Sequence, residues 1–186
     1  TFHPGQFNVL ASISEKAYLQ TLKYLEYHAD VLDLMGLGKD SVMVIHGGGV
    51  YGDKEKTMER WCENYRKLPQ KIKDRLVLEN CEKSYSIHDT LRIHDMTGIP
   101  LVFDTHHFEC YKLLHKDEKF LDASEYIPII LETWKPKGIK PKFHVSEQGT
   151  GKIGHHSDYI EILPDYLLEI PEKYGQPIDI MIEAKC

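Results

Sequence analysis

The sequence predicts an α/β fold, a (β/α)8 TIM barrel present in part, as a single domain over residues 1–186. Three observations carry that expectation. Short apolar, β-branched runs recur along the chain, stretches with helical spacing separate them, and every run ends in a group able to bind a metal. Continuous apolar runs of this length indicate strands buried on both faces, and strands alternating with helices form parallel βαβ units. The competing fold, an open doubly wound sheet, is built around a Gly-rich phosphate loop. "HGGGVYG" at 46–52 is Gly-rich but has no Walker lysine.

Taken in order, Phe2-His3 reads as the end of a clipped strand. The full strands are predicted at 41–46 ("SVMVIH"), 75–80 ("RLVLEN"), 100–104 ("PLVFD"), 140–144 ("KPKFH") and 178–183 ("IDIMIE"). The first helical stretch, 10–35, carries Leu19, Leu22, Leu25, Ala29 and Leu32, with Ser12 and Ser14 as candidate N-caps. Further helices are expected at 56–68, 86–97, 123–133 and 157–168, two of them shortened or offset by Pro128 and Pro164. A complete barrel needs about 250 residues. The missing initiator Met and the strand ends at both termini lead us to expect a fragment, with about two βα units of the barrel upstream.

Composition bounds the partners only loosely. Hydrophobic residues at 41% and charged residues at 28% fit a globular domain. A net charge of −6 argues against binding nucleic acid with the whole surface. Eleven histidines offset that argument, because bound divalent ions would add positive charge where a phosphate approaches. There is no apolar run long enough to span a membrane and no basic n-region, so an intracellular, cytoplasmic protein is expected, nuclear if eukaryotic. Cys62, Cys81, Cys110 and Cys186 form no C-x-x-C and read as reduced thiols.

In a barrel, chemistry gathers at the C-terminal strand ends. Those positions here hold His3, His46, Glu79, Asp104 with His107, His144 and Glu183. One such residue is usually an ordinary loop group, but six strand ends of this kind in one small domain form a pattern. Imidazoles and carboxylates without thiolates suit Zn, Mn or Fe. The number of donors suggests two or three ions, the apparatus of phosphoryl hydrolases. For His106, a packed imidazole is at least as good a reading as a ligand.

Seven collinear stretches extend the pattern: "HPGQF", "VIHGGGVYGDK", "LVLENCEKSYS", "PLVFDTHH", "KFHVSEQ", "GHHSDYI" and "DIMIEAK". Together they resemble the UV damage endonucleases, TIM-barrel relatives of the endonuclease IV type of abasic-site nuclease. The resemblance implies incision of duplex DNA immediately 5′ to ultraviolet photoproducts, using a cluster of divalent ions. Manganese is the expected ion, with zinc and magnesium as alternatives. It also implies His3, His46, Glu79, Asp104, His107, His144, His156 and Glu183 as metal ligands, with His156 preferred over His155. Glu79 is the expected bridge between two ions, and Asp104 and Glu183 are expected to hold the ion nearest the scissile phosphate.

The resemblance further implies that Lys142, two residues before His144, is carboxylated or adjacent to the metals. The plain alternative is an inward lysine that needs a carboxylate partner. Gln6 and Phe7 match the family's pair of residues that probe damaged duplex, with Phe7 where the family often has Tyr. Lys152, in the loop 146–158, and Lys54 are candidate phosphate contacts, and ordinary solvated lysines are equally good readings. No membrane and no obligate protein partner are implied. Two other readings stay open: a divalent-metal sugar isomerase or epimerase on a similar barrel, and a metal-binding fragment without activity.

Overall fold

The computed structural model describes residues 1–5 and 7–184. The expectations for Gln6 and Cys186 therefore lie outside the described residues. Five strands form one parallel sheet: β1 (Met43–His46), β2 (Leu76–Glu79), β3 (Leu101–Asp104), β4 (Lys142–Val145) and β5 (Asp179–Ile182). Their order in the sheet is their order in the chain. Phe2 extends the sheet beside β1 through a single parallel bridge to Met43.

Sequential order separates a barrel from a doubly wound sheet, in which strand order reverses at a switch point. Gly47, Gly49 and Gly52 do keep the G-x-G-x-x-G spacing, but the sheet offers no reversal among the described strands for such a loop to serve. Packing accounts for two glycines of this loop. A Cβ at Gly47 would lie 2.5 Å from the Tyr85 ring, and one at Gly48 (φ +86) 2.5 Å from Val9. Curvature is directly visible as well. The His3 and His144 rings sit four strand positions apart in the sheet, yet their centroids are 5.8 Å apart. A flat sheet would separate them by about 19 Å.

Between the strands run α1 (Glu15–Leu34), α2 (Lys54–Lys67), α3 (Gln70–Lys73), α4 (Ile87–Thr97), α5 (Thr105–Leu114), α6 (Ala123–Trp134), α7 (Asp165–Leu168) and α8 (Ile170–Tyr174). Local chemistry sets their ends. Ser14 caps α1 by accepting from the Ala17 N–H, and Asp53 caps α2 through Lys56 N–H. Ser86 and Asp89 form a reciprocal capping box on α4, which stops at Gly98 in the left-handed region (φ 74). Thr21, Leu25, Ala29 and Leu32 of α1 are buried at helical spacing. No helix among the described residues is long and apolar enough to cross a membrane.

Three expectations need correction. The helix predicted at 157–168 is irregular up to Pro164. There the N–H groups of Glu161 and Ile162 donate to one carboxylate oxygen of Glu147 (2.8 Å each) instead of to a helical ladder. Pro128 lies inside α6 without shortening it. And α5 was not foreseen: it begins at Thr105 directly after β3, with Asp104 serving both as last strand residue and as N-cap.

The core lies between sheet and helices. Trp134 of α6 donates from Nε1 to the Leu101 carbonyl (2.7 Å), and Thr133 accepts from the Leu101 N–H (3.1 Å), clipping α6 to β3. Phe103 is fully buried against Phe108 and Tyr126. Arg75 fastens the α1–β1 turn by donating to the carbonyls of Leu37, Gly38 and Ser41. Because the Phe103 site is enclosed on all sides, Phe103→Ala is expected to cost about 3–5 kcal/mol, read as a lowered urea midpoint with little change in slope.

Candidate metal centre

The parallel sheet delivers its inward side chains to one end, and Glu79 stands at the centre of them. It is fully buried at the end of β2. Its Oε2 lies 2.9 Å from His3 Nε2, 3.4 Å from His144 Nδ1 and 3.8 Å from His46 Nε2. Its Oε1 lies 3.1 Å from His107 Nδ1. On the far side, His144 Nδ1 is 3.2 Å from Glu183 Oε1, and His156 Nδ1 is 3.7 Å from Glu183 Oε2.

Three sets of donors converge closely enough to share an ion: His3, Glu79 and His144; His46, Glu79 and His107; and Asp104, His144 and Glu183. Glu79 and His144 each belong to two sets. Seven of the eight expected ligands are thus brought together, and the eighth, His156, is buried beside Glu183. His155 is exposed.

The donor set fits divalent ions. His46 Nδ1, Glu79 Oε1, Asp104 Oδ2 and both ring nitrogens of His144 are buried and carry no hydrogen bond among the described residues. Natural cores rarely leave so many polar atoms unsatisfied in one place. The electrostatics agree. Burial opposes ionisation of Glu79, but His46, His144 and His107 hold its carboxyl well below the ordinary range. Burial pushes Asp104 up to about 6. Burial alone would lower His144, yet Glu79 and Glu183 raise it to about 10. In the protein alone the carboxylates favour the protonated forms of His3, His107 and His144, whereas burial lowers His46; a divalent cation would take over the balancing of the carboxylates and release those protons.

Local structure positions each donor. His107 sits in the first turn of α5, where its N–H donates to Asp104 Oδ1 (2.7 Å). One carboxylate thereby caps the helix with one oxygen and leaves the other aimed into the cluster. Asn80 is the residue that sequence reasoning missed. Its side chain donates to the Asp104 carbonyl (3.0 Å) and accepts from the Asp104 N–H (2.9 Å), while its own carbonyl lies 3.1 Å from His107 Nδ1. It fastens β2 to β3 just where both present ligands. Glu82 was also missed. It lines the cavity of about 650 Å³ above the cluster, together with His3, His46, His107, His156 and Glu183. The only available signal for either was adjacency to Glu79 in "LENCE".

The other candidates named from the sequence have different surroundings. Lys142 is buried and its ammonium pairs with Asp179, the carboxylate partner that a plain inward lysine requires. Lys54 is held by Asp89 (2.5 Å) and the Tyr111 hydroxyl (3.2 Å), so its charge is already engaged. Phe7 is 86% exposed, and Lys152 is exposed on the loop that Gln148 ties together. His106 is buried against Cys110 and edge-on to His156, and burial lowers it to about 4, a neutral packing imidazole.

Comparison with known proteins decides the family. The UV-endonuclease UvdE family matches residues 1–186. The chain belongs to this family. It is 39% identical to the UV DNA damage endonuclease of Bacillus velezensis, covering 100% of this chain and 57% of that protein. It is 38% identical to a putative UV-damage endonuclease of Acanthamoeba polyphaga mimivirus, covering 100% of this chain and 56% of the other. The crystal structure of SacUVDE superposes with a TM-score of 0.79 at 34% identity, over 98% of this chain and 59% of that one. A D-psicose 3-epimerase with D-tagatose from Clostridium cellulolyticum H10 gives a TM-score of 0.58 at 14% identity, over 98% of this chain and 62% of that one, a likeness of fold alone. The chain thus spans little more than half the length of these relatives.

If Asn80 sets the ligand geometry, Asn80→Ala should weaken Mn²⁺ binding roughly 10–100-fold by calorimetry while circular dichroism stays that of the parent.

Proposed function

We propose that this chain carries the metal centre of a DNA repair endonuclease that incises duplex DNA 5′ to ultraviolet photoproducts. The observation that supports it most is Glu79, shared between two converging sets of imidazole ligands in a chain of the UvdE family. His3, His46, Glu79, Asp104, His107, His144 and Glu183 would hold two or three divalent ions, Mn²⁺ being our first choice, with His156 completing the set beside Glu183. Such ions polarise a phosphoryl oxygen and activate water for in-line attack.

The chain's own residues supply position and access. Glu79 hydrogen-bonds His3 through Oε2 and places its two oxygens 3.1–3.4 Å from the His107 and His144 rings, marking the centre of the cluster. The cavity of about 650 Å³ leaves room for a phosphodiester above them. Phe7, almost wholly exposed, is the residue we assign to probing the duplex, in concert with Gln6. Inserting an apolar ring between base steps costs a few kcal/mol of unstacking, and less where a lesion has already weakened the stack. That difference selects damage. Lys152 is the lysine we retain as a phosphate contact, since Lys54 is engaged elsewhere.

The test is incision of an end-labelled duplex carrying one pyrimidine dimer, with Mn²⁺ and then with chelator. We expect a single cut immediately 5′ to the dimer, lost on chelation. Glu79→Gln should slow it by at least roughly a hundredfold with damaged-DNA binding retained, and undiminished cutting by this variant would reject the metal-centre assignment. Phe7→Ala should instead reduce the preference for damaged over intact duplex by about tenfold in competition binding, the loss of one stacking contact.

A further inference from the structure

At the opposite end of the sheet from the ligands, where the strands begin, a second cavity of about 430 Å³ opens between α2, α3, α4 and the turn before β4. Arg66, Lys73 and Lys137 line it, along with Asp74, Tyr65 and Pro100. Each of the three cations donates to a backbone carbonyl: Arg66 to Met96 (3.0 Å), Lys73 to Arg66 (2.6 Å) and Lys137 to Leu76 (3.1 Å). None has a carboxylate partner among the described residues. The acid at the rim, Asp74, is taken by Lys39 (2.7 Å) and by the Gln70 amide (2.8 Å).

A simple structural role covers part of this arrangement. Arg66 and Lys73 cap carbonyls in the last turns of α4 and α2, where cations are favoured. That role uses a single hydrogen-bond acceptor each, with the Tyr65 ring 5.9 Å from the Lys73 ammonium as a further contact, while an ammonium has three donors and a guanidinium five. It also leaves Lys137 unexplained, because Lys137 ends a three-residue 3₁₀ turn (Lys135–Lys137) that Gly138 terminates at φ 64. Three cations with spare donors line one preformed cavity, and the acid among its lining residues, Asp74, pulls on Lys137 without pairing with it because it is already held by Lys39 and Gln70. We propose that this cavity binds a small phosphate-class dianion, independently of the metal centre and of the nuclease reading.

The charge state of Lys137 supports the proposal. Burial, Lys39 and Arg75 lower it to about 8 against the opposing pull of Asp74. A ligand that places negative charge beside it would raise that value, so binding between pH 8 and 9 should take up protons.

The measurement uses orthophosphate and pyrophosphate as probes at constant ionic strength, with chloride as the control anion. Backbone amide resonances of Thr97, Gly98 and Lys137 should move along one saturable curve, while those of residues 147–157 stay still. Calorimetry at pH 8.5 in two buffers of different ionisation enthalpy should show proton uptake. Lys137→Gln and Arg66→Gln should each weaken binding about tenfold, and Lys73→Arg should retain it. Circular dichroism and a urea midpoint equal to the parent's certify the variants as folded, and Lys73→Gln substitutes for either variant that fails this check. Non-saturable shifts, equal shifts with chloride, or parental affinity in the folded variants would each overturn the site.

Discussion

A fully buried, ionised Glu79 is the constraint on which the rest depends. Burying an unpaired carboxylate is prohibitive, so the surrounding elements must bring compensating groups to both of its oxygens. They come from the N-terminal segment (His3), from β1 (His46), from the first turn of α5 (His107) and from β4 (His144). Strands two apart in a flat sheet stand about 9–10 Å apart, too far for an imidazole to reach a carboxylate on a central strand. The observed contacts near 3 Å exist because the sheet curves around Glu79. Curvature, core packing and the ligand cluster are therefore one solution to one electrostatic problem.

Economy at the end of β3 shows how tightly chain and site are joined. Asp104 is last residue of a strand, N-cap of a helix and candidate ligand at once. Asn80 then locks its backbone to β2 with two hydrogen bonds. A residue with three tasks permits no loop between strand and helix, which is why His106 and His107 follow it immediately.

That same economy explains what was legible in the sequence. The five strands stood out because a strand buried on both faces reads as a continuous apolar run. The strand-end donors followed from them by position, including His3 on the marginal N-terminal segment. Helix α5 did not stand out, because with no turn residues ahead of it "THHFECYKLL" reads as a continuation of the strand's end. The stretch 157–163 misled in the other direction: it has helical spacing, but Glu147 offers its backbone a better acceptor. Asn80 was invisible because its importance is relational. An asparagine after a strand is an ordinary turn residue until the neighbouring strand's backbone is seen against it. Lys142 shows the same limit. Its inward direction was readable from parity with His144, but its pairing with Asp179 depends on the register between β4 and β5.

The order of strands in the sheet has a bearing on biosynthesis. Because the order is sequential, each new strand pairs with the one made just before it, and the sheet can lengthen as the chain emerges. The ligand cluster obeys a different clock. His3 and Glu183 both touch the groups around Glu79 and His144, so the cluster spans almost the entire described chain and must wait for β5. Contacts so distant in sequence form late, after the loop-closure entropy has been met. Until then Glu79 has only part of its retinue. An ion held by these donors would tie His3 to Glu183, joining the two ends of the described sheet after its strands have paired one by one.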